Sequence, residues 1–100
     1  MPFDGTTFKF STVTQALIDG RDQIKSGWAS NGRAREGVCA IVALAKHSLY
    51  YETYEAGIIF LRRALKEIEF HSGVPEYNDT HTKEEAIALY NRAIELSYGG

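Results

Sequence analysis

The feature that most constrains this chain is an unbroken apolar run, Val38 to Ala45, followed directly by Lys46 and His47. The run is far short of the roughly 20 residues that a membrane span requires. Its side chains must therefore be buried against the rest of the protein. Read as a helix over about 36–50, it has no polar face, and a helix apolar all round is normally surrounded by other elements. The sequence predicts that this is the central and most buried helix, so that neither Ile41 nor Val42 faces solvent.

Other helices are legible around it. Thr12 with Gln15 three residues later reads as a capping box, and Gly27 as a stop, which predicts a helix over 12–26. Its core stripe is Val13, Leu17, Gly20, Ile24 and then Trp28. Glycine in such a stripe costs up to ~1 kcal/mol of helix propensity against alanine, so Gly20 marks a close approach of another helix. A third helix is predicted over 53–71, ended by Gly73 and Pro75, with Ile58, Leu61, Ala64, Leu65 and Ile68 inward. Thr82 and Glu85 form a second capping box that opens a helix over 83–98, with Ala86, Ile87, Tyr90, Ala93, Ile94 and Ser97 as its stripe. Short connections imply antiparallel neighbours. The expectation is an all-α protein, a small four-helix bundle over 12–98 with an extended arm over 1–11, in a single domain of 1–100. Phe8 and Phe10 would pin the arm to the bundle.

Charge and cysteine content narrow the function. Eleven Lys and Arg against thirteen Asp and Glu give a net charge of −2. Neutralising many phosphates needs a clear basic excess, so a nucleic-acid role is disfavoured, as is attraction to an anionic membrane. The start, Met1 to Gly5, is neither basic nor followed by an apolar signal segment, and a lone cysteine, Cys39, gives no internal disulfide; a cytoplasmic protein is expected. His47, His71 and His81 lack the three- or four-residue helical spacing of a zinc site, so neither metal nor cofactor is expected.

A few positions are able to carry chemistry. Cys39 opens the apolar helix, where unpaired N–H groups and nearby Arg33 and Arg35 favour a thiolate. Its commoner role inside Val-Cys-Ala-Ile-Val is that of a small buried hydrophobe. Arg33 and Arg35, with Gly32 and Gly37 allowing close approach of backbone, form a candidate anion site; a solvated loop is the plainer alternative. Asp79, in Tyr77-Asn78-Asp79-Thr80-His81, is a candidate base that would hold His81 or His71, while Asx residues before a helix more often serve turns and caps. One of Asp79, Thr80 and Thr82 is expected to cap the last helix. On the third helix, Ile59, Arg63, Lys66 and Phe70 fall on one face at steps of four, three and four, opposite the core stripe. Two large apolar residues flanking two cations make a candidate interface, to which the clustered Tyr50, Tyr51 and Tyr54 would add.

These segments together resemble a family of small bacterial and phage proteins of unknown function. The similarity runs over roughly 24–96 with gaps. It comprises a helix ending in Gly27-Trp28, Cys39 opening the next helix, the loop Pro75-Glu76-Tyr77-Asn78-Asp79, and a Thr-x-x-Glu helix ending in Arg92-Ala93-Ile94-Glu95. The resemblance implies that Trp28, Cys39, Asn78 and Asp79 form a spatial set, with Trp28 and Asn78 as ligand-binding candidates beside Arg33 and Arg35.

Two functions follow as expectations. The first is a non-enzymatic interaction module that binds a protein partner, or itself as a homodimer, through the Ile59 face; a phage or bacterial accessory or inhibitor protein is one form of it. The second is a small enzyme or anion-binding protein using Cys39, Asp79 and the Arg33/Arg35 loop. The first is preferred, because so small a bundle leaves little room for a pocket of several hundred Å³ beside its core.

Overall fold

The computed structural model describes residues 12–28 and 39–99. The expected arm over 1–11, the Arg33/Arg35 loop and residues 36–38 of the predicted apolar helix lie outside the described residues. The described residues form five helices: α1 Thr12–Ser26, α2 Ala40–Lys46, α3 Tyr51–Glu67, α4 Val74–Thr80 and α5 Lys83–Gly99. The all-α expectation holds; the four-helix count does not, because α4 occupies a stretch read as loop. The three long helices pack on one another, and α2 lies chiefly against α1.

The core is built from the predicted stripes. Leu17 and Ile24 of α1, Leu44 of α2, Leu61 and Leu65 of α3, and Tyr90 and Ala93 of α5 are fully or almost fully buried. Each large side chain among them contributes about 1.5–3 kcal/mol relative to exposure. Gly20 is where three helices converge: a Cβ there would lie 3.1 Å from Tyr90 Cε2 and 3.5 Å from the Ala43 carbonyl carbon. Gly57 does the same for α3, where a Cβ would meet both Leu44 methyls at 2.9 Å. At the other end of α1, Thr14 and Ser97 share a buried 2.7 Å hydrogen bond that ties α1 to α5.

Four expectations need correction. The apolar helix is shorter than 36–50 and is not the surrounded centre of the bundle: Ala40, Ala43 and Leu44 are buried, Ile41 and Val42 half-buried, and Ala45 and Lys46 exposed. Its end is set by Ser48, whose hydroxyl donates to the Leu44 carbonyl at 2.7 Å and so closes the last turn. At the start of α1, Thr12 already lies within the helix, and the Gln15 amide donates forward to Asp19 at 2.9 Å.

The third helix stops at Glu67, four residues early. Glu69 takes a left-handed conformation (φ 60°), the Glu69 N–H reaches the Lys66 carbonyl, and the Phe70 N–H reaches the Leu65 carbonyl. This is the Schellman arrangement, built here with glutamate where glycine is usual. Ile68, placed in the core stripe by its spacing, becomes the cap residue and is 55% exposed.

Finally, Gly73 and Pro75 begin a helix and do not end one. Gly73 is the N-cap of α4 and Pro75 lies in its first turn, where a missing N–H costs nothing. Glu76 folds back so that its Oε1 accepts the Gly73 N–H at 3.0 Å. Asn78 and Asp79 are thus helical residues, and Thr82 is the residue that caps α5. The Thr82 N–H donates to Glu85 Oε1 at 2.8 Å, and the Glu85 N–H donates to Thr82 Oγ1 at 3.1 Å. The Thr82 backbone N–H holds the Glu85 carboxyl below the ordinary range.

Candidate functional site

The residues marked by sequence fall into two regions, a buried clasp and an open groove. The clasp centres on Asn78, which is 1% exposed. Its Oδ1 accepts the Trp28 indole N–H at 2.9 Å and the Ala40 backbone N–H at 3.0 Å. Cys39 is the N-cap of α2, is half-buried, and gives no side-chain cap. Asn78 supplies that cap from another helix. The other backbone group of the same residue is held too, since the Tyr90 hydroxyl donates to the Ala40 carbonyl. Burial pushes the Tyr90 phenol far above its usual range, which keeps it a donor.

Trp28, Asn78 and the backbone beside Cys39 do therefore come together. Both acceptor directions of the Asn78 oxygen are occupied within the protein, which is the chemistry of a brace. Asp79 lies beside it on the exposed side of α4, where its Oδ1 is 3.5 Å from Asn78 Nδ2. Arg33 and Arg35 lie outside the described residues.

Phe70 is not on the outer face of α3. The chain reversal at Glu69 carries it back, half-buried, edge-on to Tyr77 (5.1 Å) and to His81 (5.5 Å). Tyr77 and His81 stack at 3.8 Å, and His81 Nδ1 lies 2.9 Å from both the Tyr77 carbonyl and Thr80 Oγ1. A carbonyl only accepts, so the proton sits on Nδ1. Burial raises the Tyr77 phenol. His47 meets Gln23 at 3.2 Å, and His71 is exposed. Among the described residues, no three His, Cys, Asp or Glu side chains gather as they would around a metal ion.

The proposed interface face is accordingly reduced to Ile59, Arg63 and Lys66, all exposed. Arg63 places its guanidinium 5.3 Å from the Phe60 ring centroid.

Ile59 belongs to something that its helix alone could not reveal. Between α2, α3 and the start of α4 lies an open groove of about 510 Å³. Tyr51, Tyr54, Glu55, Ile58, Ile59 and Arg62 form its α3 wall, Ile41 its α2 wall, and Gly73, Val74 and Pro75 its far end. The expectation that a bundle of this size lacks room for such a cavity is corrected. α2 contributes the half-buried Ile41 on this side, and the start of α4 closes the far end. The Tyr51 and Tyr54 rings lie 6.3 Å apart. The negative charge of Glu55, and the hydrogen bond between that carboxylate and the Tyr51 phenol, raise the Tyr51 phenol above its ordinary value. At the approach, Leu49 (84%), Tyr50 (65%) and Tyr51 (69%) stand in solvent.

Sequence had flagged Tyr50, Tyr51, Tyr54 and Ile59. It missed Glu55, Arg62, Val74 and Pro75, since nothing placed 73–75 beside α3 until α4 was known. No helix among the described residues is long and apolar enough to cross a membrane. No protein-family model, curated protein or solved structure matches the chain.

Proposed function

We propose that this protein is a small interaction module that seats part of a protein partner in the groove between α2, α3 and α4. The observation that carries the reading is the groove's make-up: apolar and tyrosine walls left open to water at the end of the molecule where Leu49, Tyr50 and Tyr51 are most exposed. Scattered exposed apolar residues are ordinary, but a concave group of them with tyrosines is the composition of a recognition surface. Ile59 at 49% exposure sits on the rim, where burial by a partner gains apolar contact without disturbing the core.

A photo-reactive residue placed at Tyr51 or Ile59 and, as control, at Glu84 on α5 tests this. The expected result is a discrete adduct from the groove positions, lost from the Tyr51 position when the exposed Ile59 is changed to Asp, and none from Glu84. Equal labelling from all three positions would overturn the reading. Self-association is checked in the same preparations by light scattering, with Ile59→Asp as the variant that separates a groove-mediated homodimer from a monomer.

A further inference from the structure

Resting on that reading, the geometry points to the chemistry of the occupant: an amphipathic helical segment that carries an acidic side chain against Arg62. The groove's length comes first. Tyr51, Glu55, Ile58 and Arg62 follow one another at steps of four, three and four along α3, so the wall extends about 16 Å. That matches about three turns of a partner helix.

The second consideration is the backbone of the occupant. All three walls are helical or open a helix, and no sheet edge stands beside them among the described residues. An extended segment would find no ladder to join and would leave its own N–H and C=O groups against apolar side chains. A helix satisfies those groups internally and presents side chains at the spacing of the wall.

The third is charge. The described arginines are otherwise engaged: Arg92 is bound to Glu67 and Glu95, Arg21 to Asp22 and Asn91, and Arg63 lies over Phe60. Among the described arginines Arg62 alone has neither an ion pair, a hydrogen bond nor a ring contact with the described residues, and it stands on the groove wall. The groove's carboxylate, Glu55, lies one helical turn from Tyr51, whose phenol its charge raises. The groove therefore offers an exposed guanidinium without a partner among the described residues, beside an apolar trough. A carboxylate meets such a fork with two parallel hydrogen bonds, and exclusion of water by the apolar contacts strengthens the pair.

The experiment is selection of random displayed peptides of about 14 residues, enough for a segment spanning the wall, against the full chain. Synthetic copies of the winners are then titrated against the parent and variants. Winners should carry apolar residues three and four apart, with Asp or Glu at one end, and should gain helical circular dichroism on binding. Ile59→Asp abolishes their binding, Arg62→Ala weakens it roughly 10-fold, and Arg62→Glu shifts the selected residue from acidic to basic. Ile59 and Arg62 are exposed, so both variants are expected to melt like the parent.

Winners that need Ile59 but ignore Arg62, or that are proline-rich without helical spacing, would overturn the acidic-helix inference and leave the groove standing. Failure to select any peptide sensitive to Ile59→Asp would remove both. A parent that is dimeric, and monomeric as Ile59→Asp, would assign the groove to a second copy and end the inference.

Discussion

Replacing Asn78 by alanine should be among the most damaging single changes away from the apolar core. The side chain is buried and serves two donors with one oxygen. Each hydrogen bond contributes about 0.5–1.5 kcal/mol net, while a buried donor left unpaired costs about 1–3 kcal/mol. The Ala40 N–H falls in the second class, because Ala40 is 1% exposed and has no alternative cap at Cys39. The Trp28 indole is half-buried and regains water, so it belongs nearer the first. The sum is about 2–4 kcal/mol, a large part of the 5–15 kcal/mol typical of a domain. The melting temperature should fall by roughly 10–20 °C. α2 is only seven residues long and too short to hold itself together, so losing its cap should be felt through the whole clasp. Urea unfolding followed by circular dichroism measures the loss, and the single tryptophan, Trp28, reports the clasp itself by fluorescence. Trp28→Phe removes one donor and should cost less than Asn78→Ala. In the double variant the two effects should fall short of additive, because they share a hydrogen bond. An Asn78→Ala protein within about 0.5 kcal/mol of the parent, the range of ordinary surface changes, would refute the idea that Asn78 caps α2.

Three further outcomes are expected. Glu69→Gly should stabilise by up to ~1 kcal/mol, since a left-handed glutamate costs about 1–2 kcal/mol and glycine's freer unfolded chain returns part of that; a less stable variant would mean that Glu69 makes a compensating contact. Gly20→Ala gains up to ~1 kcal/mol of helix propensity but drives a methyl against the buried, anchored Tyr90 ring, for a net loss of about 1–2 kcal/mol in chemical denaturation; a gain would show that the ring moves aside. The carboxyls of Glu67 and Glu85 are held below the ordinary range by Arg92 and by the Thr82 N–H, so their contribution is present above the unfolded glutamate pKa and is lost as pH falls through the folded values. Urea midpoints should therefore drop on acidification through that range, and less steeply in Glu67→Gln/Glu85→Gln. An unchanged slope in that double variant would assign the acid sensitivity elsewhere.

Where local chemistry is unambiguous, these elements were legible from the residues alone. α1 has its predicted bounds because its stripe is regular and Gly27 follows it. α5 starts where predicted because Thr82 and Glu85 satisfy each other's backbone donors. The helix α4 was hidden by residues that punctuate in both directions. Gly73-Val74-Pro75-Glu76 reads as the end of one helix but, with proline in the first turn and glutamate at its third position, opens the next. The stop at Glu69 had no local signal, because glutamate in the left-handed region is sustained by the Phe70 packing that it permits. That one missed reversal moved Phe70 from a supposed outer face into the Tyr77–His81 stack and left Ile59 without its supposed companion.

The groove was beyond reach for a related reason. It lies where Ile41 of α2, the Tyr51–Arg62 flank of α3 and the start of α4 meet without closing on one another. An apolar run long enough to dominate the sequence is thus spent partly on the core, through Ala40, Ala43 and Leu44, and partly on the wall that Ile41 presents to the groove. The same residues that make α2 look like the centre of a bundle make it one side of the groove. The clasp at Asn78 holds the start of α2 in place, so the stability of the brace and the shape of the groove are one problem. Loosening the cap on Ala40 should therefore weaken groove binding, read by peptide titration, even though Asn78 is not itself among the residues that line the groove.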